Sequence, residues 1–456
     1  MRGALVRYSL PLAGLCIFTA FATLYAGAPY LYTEILTGLG IEPFRYPFLD
    51  GQYVLAGAEC WHFGINVYLS DPCDVLNRPH GYSPLWLRLP VIPMSMTIPL
   101  GVGLAIIFIL SLAVVAPVQR GREFGLGLLA ATSPMVLFAL ERANLDLIVF
   151  LLVVAAGVAW PRLSGGWRLL AYGPPLLAAL LKYYPLTLLC LTLREWSRAF
   201  LVATAASFGA VAVFIAAFHG EVLASLHNIP GGGYATRMFG ADNPAETYFI
   251  DNFGAPVLLG GADQLMTIFT ALPDTLAHRI VRISIIIVTA LLAVVPAIRM
   301  ARTSATRASI AQLSPRRSFF LVSGAALIAG CFFAGQSLNY RGVHLLFVLP
   351  AFLALSEREA GQQDRSRFWW MSLVIVFLMW GDCFRTWLSD DSLVLARLGL
   401  WLIRELLWWW LAGSLVGVLL CFALEAPLCH ELRVRFDWRN RHRLAPAQHH
   451  DNALHR

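Results

Sequence analysis

The sequence predicts an all-α polytopic integral membrane protein, and three observations carry that prediction. Of the 456 residues, 58 % are hydrophobic and only 13 % charged, against roughly 25 % charged in an ordinary soluble domain. Mean hydropathy is +0.66. With 14 Trp, 14 Tyr and 28 Phe the chain holds more apolar side chain than one aqueous surface can hide, so lipid must solvate much of it. Apolar windows long enough to cross a bilayer recur from end to end, and no polar stretch is long enough for a soluble domain beside them. One membrane domain over 1–428, followed by a basic cytoplasmic tail over 429–456, is the economical organisation.

The elements follow in order. MRGALVRY precedes an apolar run longer than a signal-peptide core, which predicts a retained first span at 8–27. Further spans are expected near 89–117, 124–140 and 145–160, then a broken pair within 169–193. After these come 199–218, 280–298, 318–335, 342–356, 368–382 and 397–424. That makes about 11–12 crossings of bilayer length. Residues 169–193 carry basic flanks at both ends, whereas a single crossing puts its ends on opposite sides. Pro174, Pro175 and Pro185 remove backbone donors, so the segment reads as a hairpin of two short helices. Its tip, Lys182 to Pro185, would lie sheltered within the protein and face outward.

Orientation follows from arginine, which short cytoplasmic loops retain. Arg2 and Arg7, QRGRE at 119–123, Arg162 and Arg168, LREWSR at 193–198, and a 299–317 loop with five arginines and no acid all fall on one side. Both termini are therefore expected in the cytoplasm, with the chain in a bacterial inner membrane. Two long segments remain outside, 28–88 and 219–279, the latter with GGGY at 231–234 and DNFG at 251–254. Both contain short amphipathic stretches, which predict interfacial helices lying on the outer leaflet. The chemistry is expected there, facing the periplasm.

The chain has 34 basic and 27 acidic residues, net +7. The excess sits in short inter-span segments rather than along a face, which argues against a nucleic-acid partner. Eight cysteines form no CxxC pattern, so neither a zinc ribbon nor a thioredoxin-like site is indicated. No acidic cluster of the DxD type calls for a metal, and no cofactor is expected. Cys60 and Cys73 share the first outer segment and either form a disulfide or stay free thiols. Asp71 and Asp74 flank that pair as a cation site or, better, a solvated turn. Asp251 and Asn252 contact an acceptor or cap a helix. WLIRELLWWW at 401–410 reads as a packed or interfacial aromatic cluster, and the tail from Arg433 as a contact for membrane lipid headgroups.

Asp50 follows an apolar run and precedes Gly51, which puts a carboxylate near the membrane surface on backbone that can turn sharply. That setting suits a general base for an attacking hydroxyl, or simply a helix N-cap. The order Asp50, Tyr53, Gly64, Asn66, Tyr68, Tyr82, Pro84, with ERANLD at 141–146 and LKYYPL at 181–186, resembles glycosyltransferase family 87, polytopic mannosyltransferase-like enzymes of the GT-C class. The matches cover roughly the first half of the chain. Beyond it only hydropathy and the polar patch LNYRGVH at 338–344 correspond.

The resemblance implies a GT-C-type bundle and transfer of a sugar from a polyprenyl-phosphate donor to a lipid or glycan acceptor hydroxyl, with inversion. Asp50 would be the base. Tyr53, Tyr82, Arg142, Asn144, Lys182, Tyr183, Tyr340, Arg341 and His344 would bind substrate. The physics of such a site requires cations for the departing phosphate. Lys182 is the only lysine, and in its apolar run an ammonium costs several kcal/mol unless paired or hydrated. Phosphate, Asp146 or Glu141 would supply the counter-charge, or the long stem would snorkel to the interface. Glu141, Arg142, Asn144 and Asp146 interrupt the apolar run over 126–160, either to solvate a tight turn or to act on substrate; the planar fork of Arg142 suits oxyanions. Arg341 and His344 are spaced to share a helix face, and either grip phosphate or sugar hydroxyls together or leave His344 as a satisfied interfacial histidine. The rival reading is a secondary transporter with a broken-helix site around Lys182. It predicts paired breaks in two related halves, and the sequence offers one Pro-rich hairpin without a partner.

Overall fold

A computed structural model of the chain describes residues 2–118, 120–229, 238–243, 274–335, 337–357, 362–388 and 393–431. These residues are almost entirely helical. The first half comprises α1 (Arg2–Gly27), α2 (Pro29–Gly38), α3 (Leu49–His62), α4 (Thr97–Val115), α5 (Gly121–Ala131), α6 (Pro134–Glu141), α7 (Leu145–Ala159), α8 (Gly173–Lys182) and α9 (Ser197–His227). The second comprises α10 (Asp274–Arg302), α11 (Ser304–Ala311), α12 (Pro315–Phe333), α13 (Leu345–Ser356), α14 (Gln362–Met379), α15 (Gly381–Trp387) and α16 (Val394–Leu424). Tight 3₁₀ turns cover Gly165–Tyr172, Tyr184–Arg194 and Asn339–His344. One short ladder pairs β1 (Met238–Phe239) antiparallel with β2 (Ser337–Leu338).

The core lies around α12, which packs against α7, α13 and α16. α12 and α13 are apolar nearly all round, as a helix enclosed by protein must be. Phe347 stacks on Phe150 at 4.1 Å and on Phe320 at 5.4 Å. α10 packs along α16 through Gly413 and Gly417, where an added Cβ would come within 2.2 Å of the Ala293 carbonyl and 2.8 Å of Met300. Small residues four apart let two membrane helices approach this closely.

Among the described residues five helices are long and apolar enough to cross a membrane, and up to eight crossings result if each of three bent pairs counts as one. The expectation of about 11–12 spans is thus met only in part. α7 has 15 residues and α13 has 12. At 1.5 Å per residue even the longer reaches roughly 22 Å, short of a hydrocarbon core of about 30 Å. The expected hairpin within 169–193 is present as α8 and the Tyr184–Arg194 turns, broken at Tyr183.

The outer segments differ from expectation in three ways. α2 is largely exposed, as an interfacial helix would be, but α3 is enclosed, with ten of its fourteen residues buried. Its small residues Ala56, Gly57 and Ala58 allow other chain to close over it. Asp71 and Asp74 are 0 % and 3 % exposed, so the solvated turn is excluded: Asp74 grips Arg78, and Asp71 accepts the Cys73 N–H at 3.2 Å. α9 continues as helix to His227, with a kink at Phe218. Asp251, Asn252, GGGY, DNFG and the tail from residue 432 lie outside the described residues. The 401–410 cluster is packed: Trp408 stacks on Phe239 at 4.1 Å and Trp409 meets Phe332 edge-on at 4.9 Å.

Cys60 and Cys73 are joined in a disulfide with a sequence separation of 13. Both are therefore expected to resist maleimide, by peptide mass spectrometry, until the folded protein is reduced. Opening the loop is expected to lower stability by about 2–4 kcal/mol, read as an earlier melt in detergent with dithiothreitol. A second expectation concerns pH. Burial raises the Asp71 carboxyl to about 6 against the N–H donors of Cys73 and Asp74, while burial lowers His80 to about 4. The raised acid stabilises the fold when protonated and loses that contribution as pH climbs through about 6. The depressed histidine, which charges more easily in the unfolded chain, destabilises as pH falls below its ordinary 6.5. The two offset. Corrected for the intrinsic amide exchange rate, protection over 63–85 should fall on acidification from pH 7 to 5 in Asp71→Asn and rise in His80→Gln.

Candidate functional site

The site is assembled from helix ends. α6 leaves carbonyls and α3 leaves amides without intrahelical partners, and the two sets satisfy each other. Phe48 N–H donates to the Glu141 carbonyl at 2.9 Å, and Asp50 and Gly51 N–H donate to that of Arg142 at 3.0 and 3.2 Å. Phe48, at φ 57°, lies over Gly101 of α4, where a Cβ would sit 2.4 Å from the ring. Ala143, at φ 45°, turns the chain so that Asn144 caps α7 by accepting the Asp146 N–H at 2.9 Å. Tyr183, at φ 60° and ψ −58°, breaks the hairpin immediately after Lys182.

These breaks converge on one cavity of about 490 Å³. Its walls include Asp50, Tyr53, Tyr82, Arg142, Lys182, Tyr183, Tyr340 and Arg341. Asp50 Oδ2 accepts from Asn144 Nδ2 at 2.6 Å, and Asp50 Oδ1 lies 3.6 Å from Arg78. Lys182 Nζ donates to Asn144 Oδ1 at 3.0 Å and pairs with Asp146 at 2.9 Å. The ammonium also sits between the rings of Tyr82 and Tyr340, at 5.5 and 5.3 Å. Arg142 pairs with Glu141 at 3.0 Å and lies 4.1 Å over the Phe44 ring. Arg341 donates to Ser337 Oγ at 2.6 Å and lies 5.1 Å over Tyr184. Among the described residues no carboxylate pairs with Arg341, and its Nε is buried without a hydrogen-bond partner.

Two of the residues expected to bind substrate do not line the cavity. Asn144 is fully buried behind the wall, where it links Asp50 to Lys182. His344 is also fully buried, and its Nε2 meets the Tyr184 hydroxyl at 2.6 Å, the same hydroxyl that donates to Asp146 at 2.6 Å. The Asn339–His344 segment is a 3₁₀ turn, in which residues three apart eclipse, so Arg341 and His344 do share a face. His344 lies deeper along it, beneath Tyr184, and does not line the cavity. Of the counter-charges open to Lys182, Asp146 fills the place and Glu141 goes to Arg142.

The sequence reading missed Arg78. It lines the cavity, grips Asp74 through two bonds of 2.9 Å and covers the Tyr53 ring at 4.4 Å. The opposite charges at Asp74 and Arg78, four residues apart, were the available signal. Cys60, Asp71 and Cys73 form a grouping of metal-type ligands, but the disulfide occupies both sulfurs. A second, almost wholly apolar hollow of about 270 Å³ lies between α1, α2, α4 and α6, lined by Phe18, Phe21, Tyr25, Phe108 and Leu137. It ends at Phe48 and Glu141, beside the residues that begin the polar cavity.

Compared with protein-family models, with curated proteins and with solved structures, the chain matches none. The Lys182–Asp146 pair makes its own prediction. Lys182→Met leaves a buried carboxylate unpaired and is expected to lower stability by about 3–5 kcal/mol, whereas Lys182→Met with Asp146→Leu should recover more than half of the loss. Thermal unfolding of the purified variants in detergent measures both.

Proposed function

We propose that the chain is an integral-membrane glycosyltransferase that moves a sugar from a polyprenyl-phosphate donor to an acceptor hydroxyl at the outer membrane face. The observation that carries this reading is Arg341, a cavity cation with no carboxylate partner among the described residues, which shares with Asp50 a space walled by tyrosines. Phosphate is the anion whose geometry suits a guanidinium fork beside an ammonium.

In this reading Asp50 accepts the proton of the acceptor hydroxyl as that oxygen attacks the anomeric carbon. The bond from that carbon to the donor phosphate oxygen breaks, and the polyprenyl phosphate leaves with the electron pair. Arg341, Lys182 and Arg142 stabilise the developing charge, and the 2.6 Å bond from Asn144 holds the Asp50 carboxylate in orientation. The apolar hollow between α1, α2 and α4 suits the hydrocarbon chain of the donor, since it begins where the polar cavity ends. The Cys60–Cys73 disulfide favours an oxidising compartment for this segment, and the arginine-rich loops favour the opposite side for themselves. Both termini are then cytoplasmic.

The test uses purified protein in vesicles with polyprenyl-phosphate sugars and native membrane lipid. A new glycolipid in the mass spectrum is expected, with Asp50→Asn slowing its formation by about 10²- to 10⁴-fold. Arg341→Gln should slow it as well. Full transfer by Asp50→Asn removes the base assignment. Uptake into sealed vesicles with no transfer replaces the enzyme by a carrier built on Lys182 and Asp146.

A further inference from the structure

A third hollow, of about 390 Å³, opens beside the polar cavity between the 61–69 stretch and the end of α9. Trp61, Asn66 and Tyr68 form one wall, and Glu221, His227 and Asn228 the other. Asn228 lines both spaces, so the two adjoin at that side chain. We propose that this cleft holds a saccharide unit of the acceptor, an inference that rests on the transferase reading above.

The walls match a pyranose on both its surfaces. A pyranose offers a face of C–H bonds and a rim of hydroxyls that each donate and accept. Trp61 supplies an aromatic wall, fixed edge-on to Tyr68 at 5.9 Å and next in the chain to the Cys60 disulfide. Asn66 Oδ1 is taken by the Tyr68 N–H at 3.1 Å, which leaves its Nδ2 to donate. Asn228 Nδ2 is spent on the carbonyls of Tyr68 at 2.9 Å and His80 at 3.2 Å, which leaves its Oδ1 to accept. Glu221 is held by Arg88 through two bonds of 2.5 Å and by the Tyr68 hydroxyl at 3.2 Å, so a charged acceptor group is oriented before any ligand arrives. The far wall is tied to the hairpin tip by Tyr183 and Ser225 at 2.8 Å. A cleft this well braced loses little freedom on binding. A hydrocarbon chain would strand these polar groups, whereas a hydroxylated ring satisfies them.

Saturation-transfer NMR on the full chain in lipid nanodiscs tests this with mannobiose, maltose and galactobiose as probes. Transfer to the ring C–H protons of at least one probe is expected, with affinity at least tenfold weaker in Trp61→Ala and in Asn66→Ala, the latter an exposed residue. Trp61→Phe should retain part of the binding. In the transfer assay Trp61→Ala should raise the acceptor KM at least tenfold with kcat within twofold. Absence of binding by all three probes overturns the inference, as does undiminished binding in both alanine variants. An unchanged acceptor KM in an active Trp61→Ala overturns it too while the transferase reading stands. Saccharide binding lost in the variants, with no transfer from any donor, leaves a saccharide site and removes the reaction.

Discussion

The buried pair of Lys182 and Asp146 is the interaction on which the rest depends. Each side chain is almost inaccessible, and neither charge could stay there alone. Asn144 makes the pair part of a larger unit, because one side chain caps α7, accepts from Lys182 and donates to Asp50. Helices α3, α7 and α8 are thereby held at one point by polar contacts that no lipid could replace. Tyr184 and His344 extend the same chain of bonds into the 339–344 turn, which brings Tyr340 and Arg341 to the cavity.

Much of the cavity wall comes from places where helix stops. The chain leaves helical geometry at Ala143, at Tyr183 and around Asn339, and each break sets a polar side chain facing the same space. Interrupted backbone at membrane depth survives only where protein or enclosed water shelters it, so the breaks and the cavity require each other. The shortness of α7, α8 and α13 belongs to the same design. The apolar hollow reaches Phe48 and Glu141, within two residues in sequence of the cavity residues Asp50 and Arg142.

Some of this was legible. Lys182 declared itself because an ammonium in an apolar run has few alternatives, and Asp50 because Gly51 and the preceding apolar run marked an unusual position. The proline pattern located the hairpin to within a few residues. Arg78 escaped, since its spacing from Asp74 marks an ion pair but does not say whether the arginine faces a cavity or water. For His344 the sequence left two readings open, because spacing reveals the face it shares with Arg341 but not the depth at which Tyr184 covers it. The enclosure of α3 was invisible because its small apolar residues read the same whether lipid or protein covers them.

Hydropathy, proline and arginine placement act over one or two turns of chain, and by themselves they determined a helical membrane protein with one broken hairpin. Which charges pair, whether Cys60 reaches Cys73, and which polar residues face a common space were decided only by tertiary structure. Asp50 and Asn144 lie 94 residues apart in sequence and 2.6 Å apart in space. Contacts of that range depend on how whole helices pack, and no local pattern of side chains encodes the distance.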